Sequence, residues 1–562
     1  MFYSSRSVLL VLIAALAGPA FSDSRPTADL IIHNARIWTV NSEQPQAEAL
    51  AVLHGRITAV GSEASVMLWR GAGTHVLDAK GKRLLPGFND AHVHFSDGGA
   101  SLAAVQLTDA TSLNEFVHRI ADYASHTAKG EWIRNGEWDE TKWNPPRLPT
   151  RQDIDAVTPD NPAVLDRYDG HLILVNSQVL ALAGITAATP DPPGGVIVRD
   201  AAGQPTGALK DAATELIARV APPLTLAQRR RALDSALHEA AQRGVTSVQD
   251  MNLDYGDLSV YSQLLDQGKL TVRVYVAPPI SKVEDEAQLG VGHAFGSPSL
   301  RIGALKMFAD GSLGSRTAYF AEPYSDEPGN RGLLFSDMLP LARTEQRLMR
   351  ADAANLQLCT HAIGDAAITT VLDLYQTVQK NDGPRNRRWR IEHAQHMAAA
   401  DFERFAQLHV IASVQPYQAI DDGRWAEARI GHDRASRTYA FRTFLNHGVR
   451  LAFGTDWPVA PLDPMLTLYA ATTRATLDGK NPQGWFPEQK LSIQEAIAAY
   501  TLGSAYAEFQ EHDKGSIEPG KLADMVLLNQ DLLSIDPKAI RDTRVLKTWL
   551  GGVEIYDSRR GN

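Results

Sequence analysis

The chain has a single cysteine, Cys359, among 562 residues. One cysteine allows no internal disulfide. Cys359 sits in the apolar run LQLCTH and reads as a small core residue rather than a nucleophile. Basic residues are also in deficit: 55 Lys and Arg stand against 65 Asp and Glu, for a formal net charge of -10. Without a cationic surplus to neutralise phosphates, nucleic acid is not an expected partner. No stretch after the N-terminal segment approaches the ~18 uninterrupted apolar residues of a membrane span. There is no glycine-rich phosphate loop after an early strand, which argues against a doubly wound nucleotide-binding sheet. Internal repeats and low-complexity tracts are lacking too. What is abundant is apolar content, 44%, enough for a large core.

The N-terminus stands apart. Arg6 precedes the apolar run Val8 to Ala17, Gly18 and Pro19 break it, and Ala20-Phe21-Ser22 offers a small-residue cleavage site before Asp23. Residues 1–22 read as a secretory signal peptide, with a retained N-terminal anchor as the alternative. The expected destination is export, to the periplasm if the source is Gram-negative. The mature protein is then expected off the membrane, with a homodimer as the default oligomer because closed symmetric dimers are commonest.

Residues 29–60 alternate like short strands, with Asn34 and Gly55 at turns. The C-terminal GSIEPGKLADMVLLN and TRVLKTWLGGVEIYD are similar material. The two ends, 23–84 and 506–562, are expected to form one small β-sandwich. Between them, strand-like runs alternate with helical stretches at 84–95, 244–251, 271–277, 302–310, 356–362, 389–395, 409–416 and 449–457. Eight βα units predict an α/β fold, a closed (β/α)8 TIM barrel over 85–505. The segment 96–225 is too long for a loop and reads as an inserted subdomain over the barrel mouth.

The chemistry-bearing residues sit where that barrel would open. His92 and His94, at i and i+2 on a strand, share one face. Alone, such a pair is weak evidence. His361, His393 and Asp456 end or follow three other strand-like runs. Strand C-termini converge on one mouth in such a barrel, and neutral imidazole is a common ligand of divalent metals. Lys306, inside an apolar strand, is costly to bury unless paired or modified; exposure at a strand end is the bland reading.

This set resembles the amidohydrolase superfamily, and within it the YtcJ-like branch that includes N-substituted formamide deformylase. The resemblance rests on LPGFNDAHVHF, GEWDETKW, DGHLILVNSQVL, KMFADGSLGSRTA, THAIGDAA, IEHAQ, FGTDWPV and the closing GSIEPGKLADMVLL. It implies that His92 and His94 bind the more buried of two divalent ions and that His361 and His393 bind the more exposed one. Lys306, carboxylated, would bridge both, and Asp456 would bind metal and shuttle the proton. Zinc is the expected metal, although iron, manganese or cobalt would suit such a site. A divalent ion lowers the pKa of bound water toward ~7, which suits hydrolysis of an amide C–N bond in a small-molecule substrate. Deamination, ester or lactone opening and cyclic amide hydrolysis use the same ligands. A barrel that binds without cutting is a third reading, against which the intact residue set argues. Asp169, His171, Asn176 and Arg316 match stretches of the branch and are candidates for the substrate pocket. Trp138, with Trp132 and Trp143, would form an apolar wall of the pocket or pack the insertion. Glu392 adjoins His393, but strand alternation points it the other way, so it is not expected to orient that ring.

Overall fold

The computed structural model describes residues 26–560, so segment 1–22, read above as a signal peptide, lies outside the described residues. The centre of the molecule is a set of eight parallel strands. We number them β1 (Phe88–Val93), β2 (Val245–Met251), β3 (Arg273–Ala277), β4 (Ala304–Phe308), β5 (Gln357–Ala362), β6 (Arg390–His393), β7 (Ile411–Val414) and β8 (Leu451–Phe453). They form two ladders, one through β1, β2 and β3, the other from β4 to β8. The arrangement is of the TIM-barrel type.

The seams between the ladders differ. At one, a short strand Leu300–Ile302 pairs with β3, and after Gly303 the chain continues as β4, paired with β5. Gly303 has φ +125°, and a Cβ there would stand 2.1 Å from the Gly292 carbonyl oxygen. Glycine therefore allows one strand to pass from one ladder to the other. A bridge between Pro279 and Lys306 holds this seam. At the other seam Val93 bridges Trp457, and the Asp456 amide donates to the His92 carbonyl at 2.7 Å.

Both faces of these strands are buried, polar positions such as Gln249 and Asp250 of β2 included. Helices cover the outside. The helix Leu226–Arg243 starts with a Thr225–Gln228 capping box, ends at Gly244 in the left-handed region, and packs Leu233, Ala236 and Leu237 inward. Cys359 lies fully buried on β5, and burial pushes its thiol up to about 12.

Two antiparallel-rich sheets lie outside the barrel strands. One has four strands within residues 30–78; His54 and Gly55, both at positive φ, make the tight turn between Ala49–Leu53 and Arg56–Gly61. The other has six strands and mixes the chain ends: Arg83–Pro86 pairs with Met525–Leu528. Ile32, Leu50 and Ile57 from the first sheet share a core with Ile37, Leu84, Met525 and Trp549 from the second. One boundary moves. The run 84–95 is not one barrel strand, because Arg83–Pro86 belongs to the end sheet and β1 begins only after Gly87. A Cβ at Gly87 would collide with the Thr246 side chain at 2.2 Å.

Between β1 and β2 the chain builds a separate five-stranded sheet from segments within 133–211, with two apolar clusters of its own. Trp138 and Trp143 sit inside the first cluster, against Phe116. Trp138 is fully buried and its indole donates to the Leu165 carbonyl at 3.0 Å. Trp132 packs against the second cluster. The tryptophans thus form the insertion's own core and not a pocket wall. No helix among the described residues is long and apolar enough to cross a membrane.

Candidate metal centre

The C-terminal ends of β1, β4, β5, β6 and β8 bring the polar residues together. His92 and His393 rings lie 4.9 Å apart, His361 and His393 4.6 Å. His92 Nε2 and His94 Nε2 each stand 3.4 Å from the same oxygen of Asp456. Lys306 is buried, and its Nζ lies 3.1 Å from His92 Nε2. The donor atoms of His92, His393 and Asp456 all lie within 4.8 Å of one another. His361 is set slightly apart, its Nε2 3.2 Å from the Gly311 carbonyl oxygen and 3.5 Å from Asp310.

Two of these residues leave ordinary strand geometry. His393 has φ +68° and Asp456 φ +64°, left-handed values rare outside glycine. At His393 the pleat breaks, so consecutive side chains no longer alternate. Glu392 and His393 consequently both reach His92. Glu392 accepts from His92 Nδ1 at 2.6 Å with one oxygen and from Arg390 Nε at 2.5 Å with the other. Glu392 indeed does not orient His393; it orients His92, a role not drawn from the sequence. The signal was present in R-I-E, a charged pair at i, i+2 in an apolar strand. The Nδ1 partner of His393 is the Gln415 side chain at 2.8 Å.

Burial sets the electrostatics. Desolvation brings His92 down to about 4 and His393 to about 3, so both imidazoles are neutral, the form that ligates metal. Burial also lowers Lys306 to about 8. Burial alone would raise Asp456, but the imidazoles of His92, His94 and His393 outweigh it and hold the carboxylate ionised. Glu392 is likewise pushed up by burial and pulled further down by Arg390 and His92. Neutral imidazoles, an ionised carboxylate and fixed outer partners fit a divalent cation.

The centre lines a cavity of about 360 Å³ that also takes in residues of the insertion, among them Glu137, Asp166, Tyr168, Asp169 and His171. His171 Nδ1 donates to the Asp211 carboxylate at 2.8 Å, and its ring lies 4.9 Å from that of His361. Asp169 accepts from Arg167 at 2.7 Å and Ser312 at 2.5 Å. Three other candidates for the substrate pocket are placed elsewhere. Asn176 is buried, caps the helix Ser177–Leu182 through Val179 N, and donates to Thr158 and Asn161. Arg316 turns out to Asp326 at 2.7 Å. Trp138 is enclosed in the insertion core. Each is satisfied by a structural partner, which leaves it no reach toward the cavity. Residues not anticipated from the sequence include Glu137, Asp166, Asp421 and Asp422, all on the cavity.

Residues 75–556 match the model of the amidohydrolase family. The chain belongs to that family. YtcJ of Bacillus subtilis (strain 168) is 32% identical to this amidohydrolase, over 94% of this chain and 99% of its own, and places it in the YtcJ-like branch. The N-substituted formamide deformylase of Arthrobacter pascens is 28% identical over 94% of this chain and 98% of its own. Among solved structures, a metal-dependent hydrolase from Pyrococcus horikoshii OT3 superposes with a TM-score of 0.75 at 29% identity, covering 90% of this chain and 99% of that one. The amidohydrolase is accordingly a metal-dependent hydrolase acting on C–N bonds of small molecules.

Proposed function

We propose that the protein hydrolyses the C–N bond of a small amide of the N-substituted formamide class, at a zinc site of two ions bridged by a carboxylated Lys306. One observation carries the metal-hydrolase reading, for either number of ions: His92, His393 and Asp456 present donor atoms within 4.8 Å of one another on the cavity, with the Lys306 amine 3.1 Å from His92. The formamide class is supported by likeness to the Arthrobacter pascens deformylase. When bound, a divalent ion supplies a water of near-neutral pKa and a polarised carbonyl. In this assignment His92 and His94 hold the more buried ion, and His361 and His393 the more exposed one. Glu392 fixes the tautomer and orientation of His92 and leaves Nε2 as the donor. Asp456 takes the proton of the attacking water and hands it to the leaving nitrogen. The Gln418 amide, 3.2 Å from Asp456, steadies that carboxylate. In this assignment His171, whose ring lies beside that of His361, hydrogen-bonds the substrate carbonyl.

A second reading is a single-ion site. The tight group of His92, His393 and Asp456 excludes His361, which favours it. Metal content of the purified mature protein, beside His92→Ala and Lys306→Ala, separates the two. Two equivalents, falling in both variants, with turnover of formamides, is the expected result. One equivalent indifferent to Lys306 selects the single-ion site, and none after reconstitution with zinc and bicarbonate overturns both. We further read the two end sheets as one β-sandwich, the eight strands as a closed barrel, and the N-terminal segment as an export signal. N-terminal sequencing of periplasmic protein, expected to begin at Asp23, tests the last.

A further inference from the structure

The cavity that holds the imidazoles is also lined by two adjacent carboxyl groups, Asp421 and Asp422. Both end the helix Pro416–Asp422 that follows β7, and Asp139 of the insertion, which does not line the cavity, lies near Asp421. Arg424 pairs with Asp421, and Lys142 stands 3.8 Å from Asp139. Arg167 is committed to Glu140 and Asp169. Asp422 makes no ion pair among the described residues, and Arg424, its cationic neighbour, is paired with Asp421. Asp422 is only 8% exposed, and both its protein donors, Gln395 at 3.0 Å and Tyr439 at 2.5 Å, use the same oxygen, Oδ2. Oδ1 has no partner among the described residues, and Asp422 lines the cavity.

A second, independent group points the same way. Tyr168 is 7% exposed, lines the same cavity, and its hydroxyl has no hydrogen-bond partner among the described residues. Burial, with Asp422 nearby, pushes its phenol well above the ordinary range, so the hydroxyl keeps its proton. One face of its ring is taken by the Arg167 guanidinium at 4.8 Å, so what Tyr168 offers a ligand is its oxygen. A carboxylate oxygen and a phenol oxygen that no group among the described residues engages face the same cavity and are free to receive a donor from a ligand. A group with several N–H donors and a positive charge satisfies both at once.

We propose that Asp422 and Tyr168 form a subsite for a primary or secondary ammonium group, so that the preferred substrate is an amide of a diamine: an acylated nitrogen at the metal centre and a free cationic nitrogen held by Asp422 Oδ1 and the Tyr168 hydroxyl. The inference rests on the hydrolase reading for the scissile end only; the subsite can be tested without turnover.

The test uses the metal-loaded full chain. Mono-formylated α,ω-diaminoalkanes of three to six methylenes are compared with N-alkylformamides of matched length. The expected result is a preference in kcat/KM of at least tenfold for the cationic member at the best length, lost on trimethylation of its free nitrogen. Tyr168→Phe, which removes only the unpartnered oxygen, is expected to cut the preference several-fold and leave the neutral series unchanged. Asp422→Asn is expected to abolish it. Equal turnover of both series overturns the subsite and leaves the hydrolase reading intact. If neither series is cleaved, calorimetric binding of 1,4-diaminobutane against n-butylamine decides. Tighter diamine binding, weakened in Tyr168→Phe, upholds the subsite although the formamide reading has failed. Equal binding overturns the subsite.

Discussion

Glu392 is the residue on which the polar interior turns. It is fully buried between His92 and Arg390, and Arg390 also donates to the Ala91 carbonyl at 2.7 Å and to Gln249. Removing one partner of a buried pair leaves the other charge uncompensated, at about 3–5 kcal/mol. Glu392→Gln is therefore expected to lower thermal stability by that order and to weaken metal binding roughly 10- to 100-fold, the usual effect of losing a ligand's outer partner. Chelator competition alongside a thermal melt checks both. Asp456→Asn removes the proposed metal ligand and the proposed proton carrier together. A fall in kcat of about two to four orders of magnitude is expected, with the pH profile losing its acidic limb; an unchanged kcat in steady-state assays would remove Asp456 from the chemistry. The histidines were legible as residues because imidazoles at strand ends are scarce and conspicuous. Glu392 was not, because strand alternation assigns it to the wrong face unless the positive φ of His393 is known.

At the scale of elements, the barrel strands and the insertion have separate cores. The insertion's aromatic cluster of Phe116, Trp138 and Trp143 touches neither the imidazoles nor Lys306, yet residues between 135 and 171 line the cavity. Trp138→Ala is expected to cost about 3–5 kcal/mol within the insertion. Proteolytic cleavage should then concentrate in 96–225, KM should rise, and metal content should stay at the wild-type level. Parallel loss of metal would show that the two cores fold as one. The strands themselves were readable, since each is a short apolar run between helical stretches. Which tryptophans faced a ligand was not, because an aromatic side chain is equally at home in a core and in a pocket wall.

For the whole molecule, the chain ends are tied to the barrel by a buried pair. Arg273 on β3 makes two bonds to Asp524, at 2.6 and 2.8 Å, and Asp524 also accepts from Gly551 N at 2.7 Å. Burial would raise the Asp524 pKa, but Arg273 outweighs it and holds the carboxyl below its ordinary range. A depressed folded pKa adds stability that is full above the unfolded value near 3.9 and fades as pH falls through the folded value. Asp524→Asn is thus expected to melt several degrees below wild type at neutral pH, with the gap closing below about pH 4. Scanning calorimetry across that range checks it; a gap constant with pH would mean that the pair contributes through packing alone.

The sequence by itself determined the period of strand and helix, the family, and the short list of imidazoles, carboxylate and lysine that the strand ends carry. Those are local properties, written in apolar spacing and in residue types too costly to bury without purpose. Only the tertiary structure decided which partners those residues meet. Glu392 faces His92 across 300 positions of chain, Arg83–Pro86 leaves the barrel for a strand near the C-terminus, and Asp422 and Tyr168 come to share one cavity wall. Contacts of that range depend on how the strands close and where the pleat breaks, and a backbone angle such as that of His393 is set by its surroundings more than by its own side chain.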